Sequence, residues 1–338
     1  MIAGMEPVRV AVIGAGYMGE RHARIYTGLP DVELVAVCDV REGAARELAA
    51  RTGASAYSDF KVLLRRDDLD AVSICTPDAL HREPCELAAR AGRHVLVEKP
   101  IATTVADAEA IVDAAVRAGI VLLVGHCLRF DPRYDHARQA VERGELGPIQ
   151  TIYTRRANTV AAQDRLGGRC SLPLFLGVHD YDVMRWLADS EVERVTAESK
   201  WGLLREQGFP VEDANCALLR FASGMLGIAE LSWILPRGFP AAGDHRLDVV
   251  GSAGSLSIAT LETGLRRADA QRAVQVDTAS APAVRGHPGG MFSFELRHFV
   301  DCVRRRATPA VTPRDAVQAL RIALAVERAA ATGMPVAP

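Results

Sequence analysis

Residues 8–19, VRVAVIGAGYMG, decide the fold of this chain. Small and β-branched residues predict a strand over Val8–Ile13, which runs directly into the pattern G-x-G-x-x-G. Gly14 permits a tight turn, Gly16 lets a pyrophosphate approach the backbone, and Gly19 lets the next helix pack closely on the sheet. The stretch therefore predicts a strand–turn–helix unit that binds a dinucleotide.

The residues around these glycines indicate which dinucleotide is bound. Tyr17 and Met18 lie within the pattern, just before the predicted helix Glu20–Tyr26, whose free N–H groups and partial positive charge attract phosphates. A second predicted strand, Val32–Cys38, ends in Asp39. A carboxylate there accepts hydrogen bonds from the adenosine ribose hydroxyls and repels a 2′-phosphate, whereas Arg41 is placed to receive one. The sequence therefore predicts NAD as the cofactor, with NADP as the alternative.

Length and composition are those of an ordinary globular protein of two domains. The chain has 338 residues, 49% hydrophobic and 24% charged, with a net charge of −2. The densest basic cluster, residues 304–306, predicts a solvated helix end, so we expect no nucleic-acid partner. No apolar stretch has membrane-spanning length and no signal peptide is evident, so we expect no membrane association. The seven cysteines form no C-x-x-C pair, which favours a reducing cytoplasm, and we predict no metal site.

From residue 8 to about 125 the pattern alternates between strand and helix. This alternation predicts a doubly wound parallel sheet with helices on both faces, which we place in a dinucleotide-binding domain over residues 1–125. The predicted strands are Val8–Ile13, Val32–Cys38, Ala71–Cys75, His94–Glu98 and Val121–Gly125.

After residue 125 the sequence pattern changes to short segments in which apolar and polar residues alternate. They predict an α+β domain over residues 126–338 with a large, mainly antiparallel open sheet. A partner subunit is a plausible cover for that sheet, so we expect a homo-oligomer, a dimer or tetramer. Two closing helices are expected to pack back towards the first domain. The predicted strands are Ile149–Arg156, Cys216–Phe221, Leu226–Trp233, Leu247–Val250 and Leu256–Ala259.

Ligands bind at the carboxyl ends of the strands in a parallel sheet, so residues at those ends are candidates for the site. Thr76 and Pro77 follow the third strand and are expected under the cofactor ribose. His81 opens the next helix; a surface or capping histidine is the alternative. Glu98 and Lys99 end the fourth strand, where the nicotinamide should lie, and an ordinary exposed lysine is the alternative.

In the second domain, residues 177–187 (GVHDYDVMRWL) carry candidate chemistry. If they are helical, His179 and Asp182 share one face, being three residues apart, and Asp180 points elsewhere. A histidine near a helix start beside a carboxylate can accept a proton near neutral pH. A structural histidine satisfied by hydrogen bonds is the alternative.

Five motifs in this order resemble the Gfo/Idh/MocA family of oxidoreductases, which includes glucose–fructose oxidoreductase and inositol dehydrogenases. They are GAGYMG at 14–19, TPDALH at 76–81, EKP at 98–100, GHCLRF at 125–130 and GVHDYD at 177–182. The resemblance implies a Rossmann domain followed by an α/β domain whose large sheet often serves oligomerisation. It also implies that Lys99 and His179 face the nicotinamide from opposite domains and that the Lys99–Pro100 bond is cis.

The function implied by the resemblance is a dehydrogenase that uses NAD(P) to oxidise a secondary alcohol of a sugar, sugar acid or cyclitol. His179 would take the hydroxyl proton, and Lys99 would hydrogen-bond the same oxygen. Arg129, Asn158 and Asp182 are candidates to bind the substrate hydroxyls.

One position departs from the family pattern. Many members carry D-x-G-x-H, and Phe175 stands here in place of the aspartate. Asp182 is a candidate to assume part of its role, and Asp180 is less suited. The departure leaves open a regulatory or scaffold protein that binds a dinucleotide without turnover. An enzyme that recycles tightly held NAD in place is a third alternative.

Overall fold

The computed structural model describes residues 6–261, 265–268, 273–276, 278 and 282–338. By its internal contacts the chain divides into two compact units. The first unit comprises Met1–Phe130 with Ala279–Val317, and the second unit comprises Asp131–Thr278 with Gln318–Pro338. The predicted division into domains over residues 1–125 and 126–338 stays a prediction. So does the packing of the two closing helices towards the first domain.

Strands and helices alternate along the first 130 residues. The sheet they form is parallel throughout, with strand order β3-β2-β1-β4-β5-β6, so the order reverses between β1 and β4. This confirms the predicted doubly wound sheet, and in such sheets the ligand crevice lies at the point of reversal. The elements are β1 (Val8–Ile13), α1 (Tyr17–Thr27), β2 (Val32–Cys38), α2 (Glu42–Thr52), β3 (Ser55–Tyr57), α3 (Phe60–Leu63), β4 (Ala71–Ile74), α4 (Arg82–Arg90), β5 (His94–Glu98), α5 (Val105–Ala118) and β6 (Leu122–Gly125).

The next part of the chain carries the second sheet. Its strand order is β12-β11-β7-β10-β9-β8, with β7 and β10 parallel and the other neighbours antiparallel. This confirms the prediction of a mainly antiparallel sheet. The elements are α6 (Pro132–Glu142), β7 (Ile149–Thr159), α7 (Ala162–Leu166), α8 (Val178–Ala188), β8 (Val192–Lys200), α9 (Leu203–Glu206), β9 (Ala214–Phe221), β10 (Leu226–Leu235), β11 (Gly243–Gly251), β12 (Ser255–Ala259), β13 (Leu265–Ala268) and β14 (Ala273–Val276).

Strand β8 was not predicted from the sequence. Its inward positions include Val195 and Ala197, but charged residues such as Glu193 and Glu198 occupy the outward positions. Small inward side chains between charged ones give only a weak apolar alternation, although the backbone still pairs with β9 along its length.

The last elements are β15 (Ala283–Val284), β16 (His287–Pro288), α10 (Gly290–Arg305) and α11 (Pro313–Thr332). In the first unit, α10 packs on α1 and on the 3-10 turn Cys127–Phe130 that follows β6. Its buried Leu296 and Phe299 join the same apolar core as Ile25. A segment far along the sequence thereby completes the first unit. In the part of the chain that the structure describes, no helix combines the length and apolarity needed to cross a membrane.

Candidate active site

The glycine loop between β1 and α1 has the geometry that its pattern predicts. Gly14 has a φ of +99°, and a Cβ there would lie 2.6 Å from the carbonyl oxygen of Cys75. A Cβ on Gly19 would lie 1.7 Å from the carbonyl oxygen of Gly14. Above Gly16, by contrast, no atom lies within 4 Å of the position of a Cβ. The loop is therefore closed on the sheet side and open at the start of α1, where a phosphate would approach.

Asp39 lies against this loop. One carboxylate oxygen accepts a hydrogen bond from the backbone N–H of Ala15 at 2.8 Å, and the other accepts one from the backbone N–H of Arg41 at 2.8 Å. The Arg41 guanidinium, itself mostly exposed, lies 3.3 Å from the second oxygen. The arginine proposed as an alternative phosphate ligand therefore pairs with the carboxylate that would repel the phosphate.

The first two residues of α1 differ in their surroundings. Tyr17 is exposed, and its hydroxyl accepts a hydrogen bond from Arg21 at 2.6 Å. Met18 is partly buried and packs against the apolar core of the first unit. Tyr17 is thus the more accessible of the two to a ligand at the glycine loop.

His81 is buried and connects two strand ends. Its Nε2 lies 3.0 Å from the carbonyl oxygen of Thr76, and its Nδ1 lies 3.0 Å from the carbonyl oxygen of Pro100. Burial lowers the pKa of His81, against the opposing effect of these two carbonyls. The ring makes no capping bond to α4, so His81 is neither the surface nor the capping histidine that was the alternative.

The other two residues at this strand end face different surroundings. Pro77 is exposed. The hydroxyl oxygen of Thr76 is buried and has no hydrogen-bond partner among the described residues. Buried hydroxyls are normally satisfied, so this atom calls for a partner such as a ligand hydroxyl or a water. Thr76 thus fits the predicted place under a cofactor ribose.

The end of β5 carries Glu98, Lys99 and Pro100. The Lys99–Pro100 bond is cis, which confirms the expectation from the family resemblance. Lys99 is half-buried. Glu98 is buried, and one of its carboxylate oxygens lies 3.1 Å from Nε2 of His22 on α1. Burial acts to raise the pKa of Glu98, but the hydrogen bond and charge of His22 lower it overall.

In the second unit, His179 stands in the first turn of α8, directly after a π-helical turn over Pro173–Gly177. Such turns often mark functional sites. His179 is half-buried, and Asp182, one turn later, is buried. Asp180 is engaged elsewhere, because its two oxygens accept hydrogen bonds from Arg156 at 2.8 and 2.9 Å. Asp180 is therefore a structural partner of Arg156, whereas the helical spacing had predicted only that it points away from the face of His179 and Asp182.

Phe175 belongs to an aromatic pair. Its ring is tilted at 39° to that of Trp233, with the centroids 6.3 Å apart. Trp233 is fully buried and donates its indole N–H to the carbonyl oxygen of Glu212 at 2.5 Å. The Glu212 carboxylate accepts a hydrogen bond from the backbone N–H of Leu172 at 2.6 Å, and burial raises its pKa. An apolar ring thus stands in the turn where the family pattern has an aspartate, and the buried acid Glu212 binds the backbone just before that turn.

The remaining candidates for substrate binding have partners of their own. In the first unit, the Arg129 guanidinium donates to the carbonyl oxygen of Ala310 at 3.2 Å and lies 3.3 Å from a carboxylate oxygen of Asp315. In the second unit, Oδ1 of Asn158 lies 3.0 Å from Nε2 of His245. It accepts a hydrogen bond from this nitrogen in the tautomer that carries the proton there. Both side chains are thereby held in place, while their roles towards a substrate stay predictions.

Sequence reasoning missed His22 and Glu212. His22 follows the last glycine of the loop by three residues, so its position on the inner face of α1 was readable from the helical period. Glu212 lies in a turn without periodicity, and no sequence signal places it near Phe175.

Comparison with known protein families matches the chain in two parts. A model described as "Oxidoreductase family, NAD-binding Rossmann fold" matches residues 8–126, and one described as "Oxidoreductase family, C-terminal alpha/beta domain" matches residues 138–337. A scyllo-inositol 2-dehydrogenase (NAD(+)) of Bacillus subtilis is 31% identical over 97% of this chain and 96% of its own. A myo-inositol 2-dehydrogenase of Thermotoga maritima is 29% identical over 95% of this chain and 96% of its own. The crystal structure of a probable dehydrogenase from Thermotoga maritima superposes with a TM-score of 0.82 at 27% identity, covering 98% of both chains.

Proposed function

This chain belongs to the Gfo/Idh/MocA oxidoreductase family, and on that premise we propose that it oxidises a secondary alcohol of an inositol or a related cyclitol. It is an NAD-dependent oxidoreductase that acts on CH–OH groups. The observation that carries the proposed substrate is the similarity, along nearly the whole chain, to two inositol 2-dehydrogenases. The same similarity favours an enzyme over a regulator or scaffold of this fold.

The residues of the first unit fit NAD. The open space above Gly16 at the start of α1 suits a pyrophosphate, and the partnerless hydroxyl of Thr76 suits a ribose. Asp39, fixed on the glycine loop by Ala15, would accept from the adenosine ribose. We propose that NAD is preferred over NADP, because the neighbouring Arg41 guanidinium is paired with Asp39.

Lys99 and His179 are the proposed catalytic residues. When bound, NAD would supply the acceptor for the hydride of the alcohol carbon. His179 takes the proton of the reacting hydroxyl group as a general base. Lys99 donates a hydrogen bond to the same oxygen and stabilises its developing negative charge. Both groups are proposed to act on the same hydroxyl oxygen, so loss of either is expected to lower turnover.

For the substrate hydroxyls we propose Asp182, Asn158 and Arg129, in decreasing order of support. Asp182 lies one turn beyond His179 and takes over part of the role of the acid replaced by Phe175. Asn158 stands on β7, on which α8 packs. Arg129 has the least support, since it already pairs with Asp315.

We further propose that copies of the chain associate through the second sheet and that the enzyme works in the cytoplasm. Leu218 on β9 and Ile228 on β10 are neighbours in the ladder and are 45% and 42% exposed. Apolar side chains on an open sheet face favour a protein partner. All seven cysteines are free thiols, as is usual in a reducing compartment. Light scattering of the wild type and of Leu218→Asp would test the association.

The decisive experiment is reduction of NAD by the purified protein with a panel of inositols, sugars and sugar acids. We expect turnover with at least one inositol and less or none with open-chain polyols. Binding of NAD without turnover of any panel member, together with capture of a protein partner, would instead support the regulatory alternative. NAD that co-purifies and survives dialysis would indicate that the cofactor is recycled in place.

A further inference from the structure

A chain of buried polar groups runs through the first unit beneath the end of β5. The hydroxyl of Tyr26 lies 2.8 Å from Oγ of Ser73, and that oxygen lies 3.2 Å from Nδ1 of His22. Nε2 of His22 then lies 3.1 Å from the carboxylate of Glu98. The ring of His22 on α1 thus lies between Ser73 and the Glu98 carboxylate, within ion-pair distance of the carboxylate.

A second carboxyl group is buried in the first unit, on helix α10, which packs on α1. Glu295 on α10 is fully buried, and neither of its carboxyl oxygens has a hydrogen-bond partner among the described residues. Burial, and secondarily the negative charge of Glu98, raise its pKa well above the ordinary value. Nothing in the reaction described above uses this residue.

We propose that Glu295, as a neutral carboxylic acid, is a positioning residue that leaves Glu98 the single buried anion beside His22 and thereby keeps the end of β5, with Lys99, in place. The inference rests on the proposed role of Lys99. Glu295 itself touches neither of the reacting groups in this scheme and acts through Glu98.

The groups around Glu295 give its ionised form little compensation. Tyr26 from α1 and Cys75 after β4 stay neutral, because burial raises the pKa of both. On the 3-10 turn that packs against α10, Arg129 pairs with Asp315. His22, from α1, already faces Glu98. His126, buried just after β6, and His81, buried between the ends of β4 and β5, also lie near this end of the sheet.

Ionisation of Glu295 would therefore place two buried carboxylates against one histidine. Like charges in a poorly solvated site repel strongly, and the site relaxes by moving one of them. Glu98 would transmit the change to Lys99, since it is the last residue of β5 and immediately precedes Lys99. Raising the pH is then expected to displace Lys99 by way of Glu98.

The test compares wild type with Glu295→Gln, which fixes the neutral form at nearly the same shape. Asp301→Asn is the matched control, since it removes one carboxylate from the same helix outside the cluster. The apparent pKa of the alkaline limb of kcat is expected to rise by at least about one unit in Glu295→Gln, a tenfold change in proton affinity. The control should keep the wild-type profile. An alkaline limb in Glu295→Gln that coincides with that of wild type would overturn the proposal.

Melting temperatures measured with NAD but without substrate provide a second readout. A carboxyl whose pKa is higher in the folded than in the unfolded state costs stability as pH rises from its unfolded towards its folded pKa. The advantage of Glu295→Gln over wild type should therefore grow with pH. An active enzyme without this growth contradicts the inference alone, whereas growth in a protein that oxidises nothing contradicts the proposed function. If Glu295→Gln does not fold, Glu295→Met, also uncharged and similar in volume, replaces it in both measurements.

Discussion

The carboxylate of Asp39, at the end of β2, accepts a hydrogen bond from the backbone N–H of Ala15, between the first two glycines of the loop, at 2.8 Å. The glycine loop, which would receive the pyrophosphate, is thus hydrogen-bonded to Asp39, which would receive the ribose. A change at Asp39 therefore alters both the charge facing the ribose and the support of the loop.

Asp39→Ser is expected to reduce the preference for NAD over NADP. The substitution removes the charge that repels a 2′-phosphate and releases the Arg41 guanidinium from its pair. We expect the ratio of kcat/KM with NAD to that with NADP to fall by about tenfold or more, equivalent to about 1.4 kcal/mol. Glu42→Gln, an exposed acid at the start of α2, is the control and should leave the ratio unchanged. Equal efficiency with both cofactors in the wild type would refute the assignment.

His179→Ala is expected to lower kcat by about 10²–10⁴-fold, the usual contribution of a general base. The dissociation constant of NAD should change little, because the cofactor residues proposed here lie in the first unit. His136→Ala on α6 removes an exposed histidine of the same unit and serves as control. Near wild-type turnover of an identified substrate by His179→Ala would exclude the histidine from the mechanism.

The parts of the fold that could be predicted are those encoded locally. The glycines of the loop, the apolar strands of the parallel sheet and Asp39 each have a signal within a few residues, and the structure places them as expected. The cis bond at Pro100 followed from the family resemblance rather than from any local pattern.

The parts that were missed depend on contacts between distant segments. The buried position of Glu295, for example, lies on a helix that packs on α1 in the first unit, and no spacing in the sequence brings these two helices together. The pairing of Phe175 with Trp233 likewise joins a helical turn to β10. Periodicity identifies which face of an element is buried, but it does not identify the partner.

Lys99→Ala is expected to lower turnover by a factor similar to that for His179→Ala, since the hydrogen bond to the reacting oxygen strengthens as negative charge develops. The affinity for NAD should fall less than kcat. Lys61→Ala, which removes an exposed lysine paired with Glu83 in the same unit, is the control. A Lys99→Ala enzyme with unchanged kcat and a raised KM for NAD would limit Lys99 to cofactor binding.

Asp180→Asn is expected to destabilise the protein, not to act on the chemistry. Asp180 and Arg156 form a buried pair with two hydrogen bonds, and removal of one charge leaves the other uncompensated. The free energy of unfolding should fall by about 3–5 kcal/mol, measured by urea denaturation. Asp244→Asn breaks the more exposed pair with Arg155 in the same sheet and should cost about 0–1 kcal/mol. Comparable losses in the two variants would contradict the structural role of Asp180.

Phe175→Asp separates two accounts of how this chain manages without the family's aspartate. If the presence of Phe175 means only that an acid needed for the chemistry is missing, restoring the aspartate should raise kcat/KM. If Asp182 has assumed the role, the new carboxylate adds nothing and enters a site built from the Trp233 ring. We expect the second result, together with a loss of stability, because an unpaired carboxylate at such a site is costly.

The measurements for Phe175→Asp are kcat/KM with the identified substrate and the free energy of unfolding. Phe175→Leu is the matched control, since it loses the ring contact without adding charge and should be destabilised less. Asp182→Asn should lower kcat/KM in the wild-type background if Asp182 performs the acid's role. The expected pattern is therefore loss of activity on changing Asp182 and no gain on changing Phe175. A gain in kcat/KM for Phe175→Asp, with Asp182→Asn indistinguishable from wild type, would show that the position occupied by Phe175 still controls the reaction.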